Sequence, residues 1–218
     1  MERKNLKMPV SKKTFPGWLS KFVLALVLLG TLPTILPVGC NSPTGEPGEK
    51  VDTMRLALKD SIALLKVLQA NAVPSKNLHN YIEFYQGRIQ VLKLNNLGLK
   101  KFSFDPSLSS MDSLRSILLQ GNQIETLSVL DTIHTGSPLT INLIGNKLKF
   151  VSEEFGKVEN IFAVGFDENE ITTLPPDINH FDIRSIGIVR NKLCLLPDSI
   201  QIWLDKMNSN WRASQICN

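Results

Sequence analysis

The chain is poor in the residues on which most enzyme and metal sites depend. It has three histidines and three cysteines in 218 residues. His79, His134 and His180 are far apart along the chain, and no Cys-x-x-Cys pair or Cys/His cluster occurs, which opposes a zinc site. The nucleophile elbow G-x-S-x-G, the metalloprotease pair H-E-x-x-H, the phosphate-cradling P-loop and the dinucleotide fingerprint G-x-G-x-x-G are all missing. The expectation is therefore no enzyme, no catalytic residue, no cofactor, no metal and no small-molecule substrate. The acidic cluster Asp167-Glu168-Asn169-Glu170 is the one place where a Ca²⁺ ion has enough oxygens nearby, but the D-x-D-x-D-G loop that wraps such an ion is lacking.

Basic charge is also scarce once its position is considered. The formal net charge is +4, yet residues 1–39 hold Arg3, Lys4, Lys7, Lys12, Lys13 and Lys21 against Glu2 alone. The rest carries 18 basic and 19 acidic residues. A nucleic-acid partner requires a basic surface that displaces counterions from phosphates, so none is expected. The chain also lacks an unbroken membrane-spanning run. Phe22 to Gly39 is uncharged, but Pro33 and Pro37 interrupt it, and about 20 apolar residues are needed to cross a bilayer. Basic residues, then an apolar stretch, then a small residue are the parts of an export signal. A retained transmembrane helix is the alternative, which the two prolines oppose.

The run ends Leu36-Pro37-Val38-Gly39-Cys40, which resembles the lipobox of bacterial lipoproteins. Gly39 and Cys40 match, while Pro37 stands where that family carries leucine. The resemblance implies that residues 1–39 are removed as a signal peptide and that Cys40 takes lipid such as palmitate. The protein is then exported and lipid-anchored in the bacterial cell envelope, at an outer-membrane, periplasmic or surface face. Residues 40–50 are rich in Pro, Gly and Ser, the composition of a flexible spacer. With Cys40 acylated, Cys194 and Cys217 remain as an even pair in an oxidising compartment, the setting for a disulfide.

Repetition is what the sequence has in abundance. The pattern L-x-x-L-x-L-x-x-N-x-L is filled by Leu114, Ile117, Leu119, Asn122 and Ile124, again by Ile161, Val164, Phe166, Asn169 and Ile171, and again by Ile183, Ile186, Ile188, Asn191 and Leu193. Between them Ile141, Leu143, Asn146 and Leu148 fit, with Pro138 at the opening position. An earlier copy runs Ile89, Leu92, Leu94, Leu97 and Leu99, with Leu97 in place of Asn. From Leu97 through Asn122, Asn146 and Asn169 to Asn191 the intervals are 25, 24, 23 and 22 residues, which makes about five units over 89–193. The L-x-L alternation predicts a short strand with one buried face. Where the chain turns after it, backbone groups are left unpaired inside the stack, and an Asn amide both donates and accepts. Asn122, Asn146, Asn169 and Asn191 are therefore expected to form a structural ladder rather than surface turns. Leu174-Pro175-Pro176-Asp177-Ile178 and Leu196-Pro197-Asp198-Ser199-Ile200 resemble the L-P-x-x-I segment of bacterial repeats. Val151 and Phe155 hold the matching places one unit earlier, and Leu127 and Leu130 before that.

A stack of strands needs covering at both ends. Residues 51–88 are expected to form a helical N-terminal cap. Val51, Met54, Leu58, Ile62, Leu65 and Leu68 make an apolar stripe, with Arg55, Lys59, Asp60 and Lys66 on the polar face and Asp52 or Thr53 as N-cap. A second short helix is expected from Asn77 to Gln86, ending at Gly87. A partner- or membrane-binding role for the first helix is the alternative, and its mixed polar face does not favour it. Residues 194–218 are expected to form a disulfide-linked C-terminal cap, with Trp203, Leu204, Trp211 and Ile216 as its apolar bulk. The two tryptophans could instead mark a binding surface.

Together, residues 51–217 resemble small exported bacterial leucine-rich-repeat lipoproteins. The resemblance implies an α/β solenoid, a short right-handed horseshoe with a parallel β-sheet on its concave face and helical caps at both ends. It also implies protein–protein interaction through the repeat surface. By repeat phase the concave face displays Lys93 and Asn95, Leu118 and Gln120, Asn142 and Ile144, and Asp167, Val189 and Arg190 as candidate binding residues. Leu118, Ile144 and Val189 are outward apolar groups, either an interaction site or ordinary exposed hydrophobics. The expected partners are another protein and, through the lipid, a membrane. A cell-envelope structural or adhesive protein that binds glycan or matrix is the alternative, and a hydrolase-type enzyme is the least favoured reading.

Overall fold

The computed structural model describes residues 56–217. The expected signal peptide, the spacer, Cys40, and Val51 to Arg55 of the N-terminal cap, with its N-cap candidates Asp52 and Thr53, lie outside the described residues. Along the chain, α1 (Leu58–Ala70) is followed by β1 (Ile82–Tyr85), β2 (Arg88–Lys93), β3 (Lys101–Phe104), β4 (Ser116–Leu118), β5 (Thr126–Val129), β6 (Leu139–Asn142), β7 (Ile161–Gly165), β8 (Ile186–Gly187) and α2 (Asp198–Met207). Short 3₁₀ turns stand at Leu78–Tyr81, Pro106–Ser110, Glu153–Lys157, Ile178–His180 and Arg212–Ser214.

The main sheet has the order β1-β2-β4-β6-β7-β8, and β3 pairs with β5 in a second sheet. From β2 to β8 the neighbours are parallel, and Leu92, Ile117, Ile141, Val164 and Ile186 meet in one register row. All five are buried. Each fully buried aliphatic side chain of this kind contributes about 1.5–3 kcal/mol relative to exposure. The second sheet joins the same core through Phe102, Phe104 and Val129. Phe102, Phe104, Phe155 and Phe166 follow one another edge to face at centroid distances of 5.0, 5.8 and 5.6 Å.

The expected fold class needs correction. In place of an α/β solenoid, a leucine-rich-repeat horseshoe with one parallel sheet and a helical cap at each end, the main sheet is mixed and mostly parallel, and two α-helices occur among the described residues. The mixture arises at the N-terminal side. Asn77 to Gln86 is not a helix but a 3₁₀ turn leading into β1, which runs antiparallel to β2. Gln86 and Gly87 both have positive φ, the requirement of a type I′ hairpin turn. The Gln86-Gly87 pair thus reverses the chain instead of ending a helix.

The buried stripe of α1 is also rotated from the expected one. Ala63, Leu64, Val67 and Leu68 face the core, whereas Leu58 and Ile62 are exposed. The reason is Asp60, placed on the polar face by composition but fully buried here. Its carboxylate accepts the backbone N–H of Ile89 at 2.7 Å and the Nε–H of Arg88 at 3.1 Å. Three smaller displacements follow the same logic of local register. Leu139 rather than Pro138 fills the opening apolar place of β6, Val129 rather than Leu130 is buried in β5, and Ile216 stays half in solvent.

Candidate functional site

Two sets of polar side chains organise the end of the main sheet, and they have to be separated before a surface can be assigned. The first is internal. Asn122 accepts from Leu97 N at 2.9 Å and Leu99 N at 3.1 Å, and donates to Leu94 O and Leu119 O at 2.7 and 2.8 Å. Asn146 accepts from Ile124 N and donates to Leu119 O and Leu143 O. Asn169 accepts from Leu148 N and donates to Leu143 O and Phe166 O, and Asn191 accepts from Ile171 N and donates to Phe166 O and Ile188 O. Each buried amide therefore ties its own turn to the preceding one, which is what unpaired backbone groups in a dry interior demand.

The series has one further member that the repeat pattern does not announce. Gln215 accepts from Leu193 N at 3.1 Å and donates to Ile188 O at 3.1 Å, the two groups a next asparagine would serve. A glutamine outside the repeat phase carries no signal in the pattern; only the open end of the ladder asks for it. Around Gln215, Ile216 N donates to Asn191 O and Arg190 N to Ser214 O, so the C-terminal segment continues the backbone pairing. The disulfide Cys194–Cys217, with Cα atoms 5.7 Å apart, closes this segment onto the last unit. Trp211 is buried, donates through Nε1 to Asp205 at 2.8 Å and lies beneath the Arg212 guanidinium at 4.8 Å. Hydrogen bonds from Arg212 and then Trp211 hold the Asp205 carboxyl below the usual carboxylate range.

The second set faces outward. Asn95 accepts from Gln120 N at 2.8 Å, Asn142 from Ile144 N at 3.0 Å and Asp167 from Val189 N at 2.8 Å. Three of the candidate binding residues thus hold the strand ends in shape. Lys93 lies 3.5 Å from Glu83, and Arg190 bonds Glu168 at 3.0 Å. Gln120 is exposed, while Leu118, Ile144 and Val189 are half-buried, spread over the end of the sheet. The glycines beside them explain the flat relief. A Cβ on Gly165 would meet Ile144 Cγ1 at 3.1 Å, and one on Gly187 would collide with Asp167 Oδ2, so these side chains lie across neighbouring strands. The outward strand residues Val91, Ser116, Thr140 and Ala163 are also half-exposed.

Immediately before each ladder position the backbone is left-handed. Asn96, Gly121, Gly145, Glu168 and Arg190 have φ of 57°, 69°, 66°, 57° and 52°. Gly or Asn suits that geometry; Glu168 and Arg190 do not, and they are the pair that forms the ion pair across adjacent units.

Of the exposed aromatics Tyr85, Phe150 and Phe162, the last owes its position to an irregularity of the sheet. Between β6 and β7 the register runs Leu139↔Ile161 and then Thr140↔Ala163, which leaves Phe162 as an extra residue on β7. Such a bulge re-aims its side chain, and Phe162 is 54% exposed. Repeat phase treats Phe162 as one more variable position, so only the pairing reveals it.

At the other end of the sheet Arg88 ties α1 to the core. Its Nη2 lies 3.0 Å from Asp60 Oδ1 and 3.4 Å from Asp112 Oδ2. Asp112, also paired with Lys59, is held below the usual carboxylate range by the Lys59 hydrogen bond first and by Arg88 second. The three histidines keep separate company. His79 lies beside the Phe84 ring, His134 is 3.0 Å from Glu159, and His180 is 3.8 Å from Asp177. Among the described residues no group of three or more His, Cys, Asp or Glu is placed to hold a metal, and no helix is long and apolar enough to cross a membrane. No protein-family model matches the chain.

Proposed function

We propose that this chain is a non-catalytic protein-binding module, exported and tethered to a membrane through Cys40, which offers the outward face of its main sheet to another protein. The observation that carries this reading is the state of that face. Its strand ends and the turns that follow them expose half-buried Leu118, Ile144 and Val189, while Asn95, Asn142 and Asp167 are fixed by backbone hydrogen bonds. A surface whose polar groups are already positioned loses little freedom when a partner docks, which favours association. Half-exposed apolar groups rimmed by fixed polar ones match the composition of an interface.

Crosslinking from this face in the native envelope, with identification of what is attached, tests the proposal. The triple variant Leu118→Asp, Ile144→Asp, Val189→Asp is expected to lose the crosslinked species while keeping its melting temperature within a few degrees. Retention of the same species by a folded triple variant rejects the face. Palmitate labelling that persists in Cys40→Ala rejects the tether.

A further inference from the structure

Phe162 does not stand alone at the margin of the sheet where the parallel strands begin. Arg184 N bonds Ile161 O and Ile183 bridges Ile161, so Arg184 lies just before β8, beside Phe162. Thr140 N bonds Arg115 O, which places Arg115 on the far side of β6, where the chain has one residue fewer than in β7. Adjacent strands are about 4.8 Å apart, so Arg184 lies one spacing from Phe162 and Arg115 two, about 10 Å, and a long arginine side chain spans either distance toward the Phe162 ring. Arg115 and Arg184 are exposed, and neither has an ion-pair partner among the described residues. Arg88, Arg190 and Arg212, by contrast, are each paired with a carboxylate. The acids nearest in sequence and register are already engaged. Asp182 accepts from Asn160 N at 2.7 Å, Glu159 bonds His134, and Asp112 bonds Lys59 and Arg88.

We propose that Phe162 with Arg115 and Arg184 forms the anchor point for the partner, and that the partner supplies there an apolar side chain flanked by carboxylates. The inference rests on the protein-binding reading of the sheet and names the chemistry of what binds. Arginine forks match carboxylates two bonds at a time, and an aromatic ring with arginines is the composition of interface hot spots. Two arginines over a near-neutral body are too few for an anionic membrane surface, which is met by clusters of four to eight cations.

The test uses the full-length chain in detergent and three labelled peptides: one with Leu-Phe set between Asp and Glu residues, one with those acids changed to Lys, and one with Leu-Phe changed to Ser-Ser. Vesicles of phosphatidylserine and phosphatidylcholine are a fourth probe. The acidic apolar peptide is expected to bind, with affinity falling as salt rises, and the other two peptides are not. Phe162→Ala and the pair Arg115→Gln, Arg184→Gln are each expected to weaken binding about tenfold or more. Lys149→Gln, at an exposed lysine remote from the margin, is expected to leave it unchanged. Absence of binding to the acidic peptide, equal binding of the lysine or serine peptide, or unchanged affinity in well-folded Phe162 and arginine variants overturns the proposal. Vesicle binding that the arginine variants abolish overturns it in favour of a lipid. Loss of crosslinking in the Leu118, Ile144, Val189 variant alongside full crosslinking in Phe162→Ala would leave the general function standing and remove this inference alone.

Discussion

Glu168 and Arg190 hold backbone conformations that side chains avoid, and the two glycines of the same row give the measure of that strain. Gly145 has φ of 66°, and a Cβ there would touch nothing nearer than 3.8 Å, so Gly145→Ala isolates the left-handed penalty. A loss of about 1–2 kcal/mol in unfolding free energy is expected by denaturant titration. Glu168→Gly runs the other way. It relieves strain but gives up an exposed ion pair, and a net gain of about 0.5–1 kcal/mol is expected; a destabilised variant would show that the side chain contributes more than the backbone loses. Asn169 makes four hydrogen bonds, as the other ladder asparagines do, and Asn169→Ala leaves buried backbone groups of two turns unpaired. The expected loss is about 3 kcal/mol, read from the same titration. The ladder was legible in the sequence because its asparagines keep a constant phase against the leucines. The fixed roles of Asn95, Asn142 and Asp167 were not, since an outward amide looks the same in sequence whether it awaits a partner or holds a strand end.

Elements diverge from expectation where one interaction outweighs periodicity. Apolar spacing alone orients α1 with Leu58 and Ile62 inward, yet the buried Asp60 turns the helix until its carboxylate meets Arg88 and Ile89 N. Asp60→Ala leaves Arg88 with Asp112 alone and the buried Ile89 N–H without its acceptor. A loss of about 3 kcal/mol is expected, with the hydrogen-exchange protection of α1 and β1 falling before that of β6. The β1–β2 hairpin was hidden for a similar reason: Gly87 reads equally as a helix stop and as half of a turn, and the paired positive φ of Gln86 has no signature of its own. The C-terminal closure was half legible. The Cys194–Cys217 pairing follows from counting cysteines, and replacing both by Ser is expected to lower stability by about 3 kcal/mol on the loop-closure model. Gln215, which does the ladder's work there, follows from nothing in the repeat.

For the whole molecule, acid is expected to act from the two ends inward. Asp112 at the N-terminal side and Asp205 at the C-terminal side both have carboxyls held below their usual range. A folded-state value below the unfolded one stabilises above the unfolded value, and that contribution is lost as pH falls through the folded one, here below about pH 4. Asp112 is half-exposed, so its share stays under about 1 kcal/mol. Asp112→Asn is expected to flatten the acid limb of a stability-versus-pH curve without altering it at neutral pH by more than that amount.

The unit length itself falls by a residue at each step, from 25 to 22. Since β2, β4, β6, β7 and β8 keep a common register, the shortening is absorbed by the return path. There β3 and β5 pair over four residues, and later units make only the single bridges Ile133↔Val158 and Phe150↔Thr173. Among the described residues the return path is thus shorter in each unit than in the one before, so the units are not interchangeable. A copied unit fits between neighbours that differ from it by one residue, but not beyond Asn191, where the helix and the disulfide close the last unit. The number of units is therefore written into their lengths.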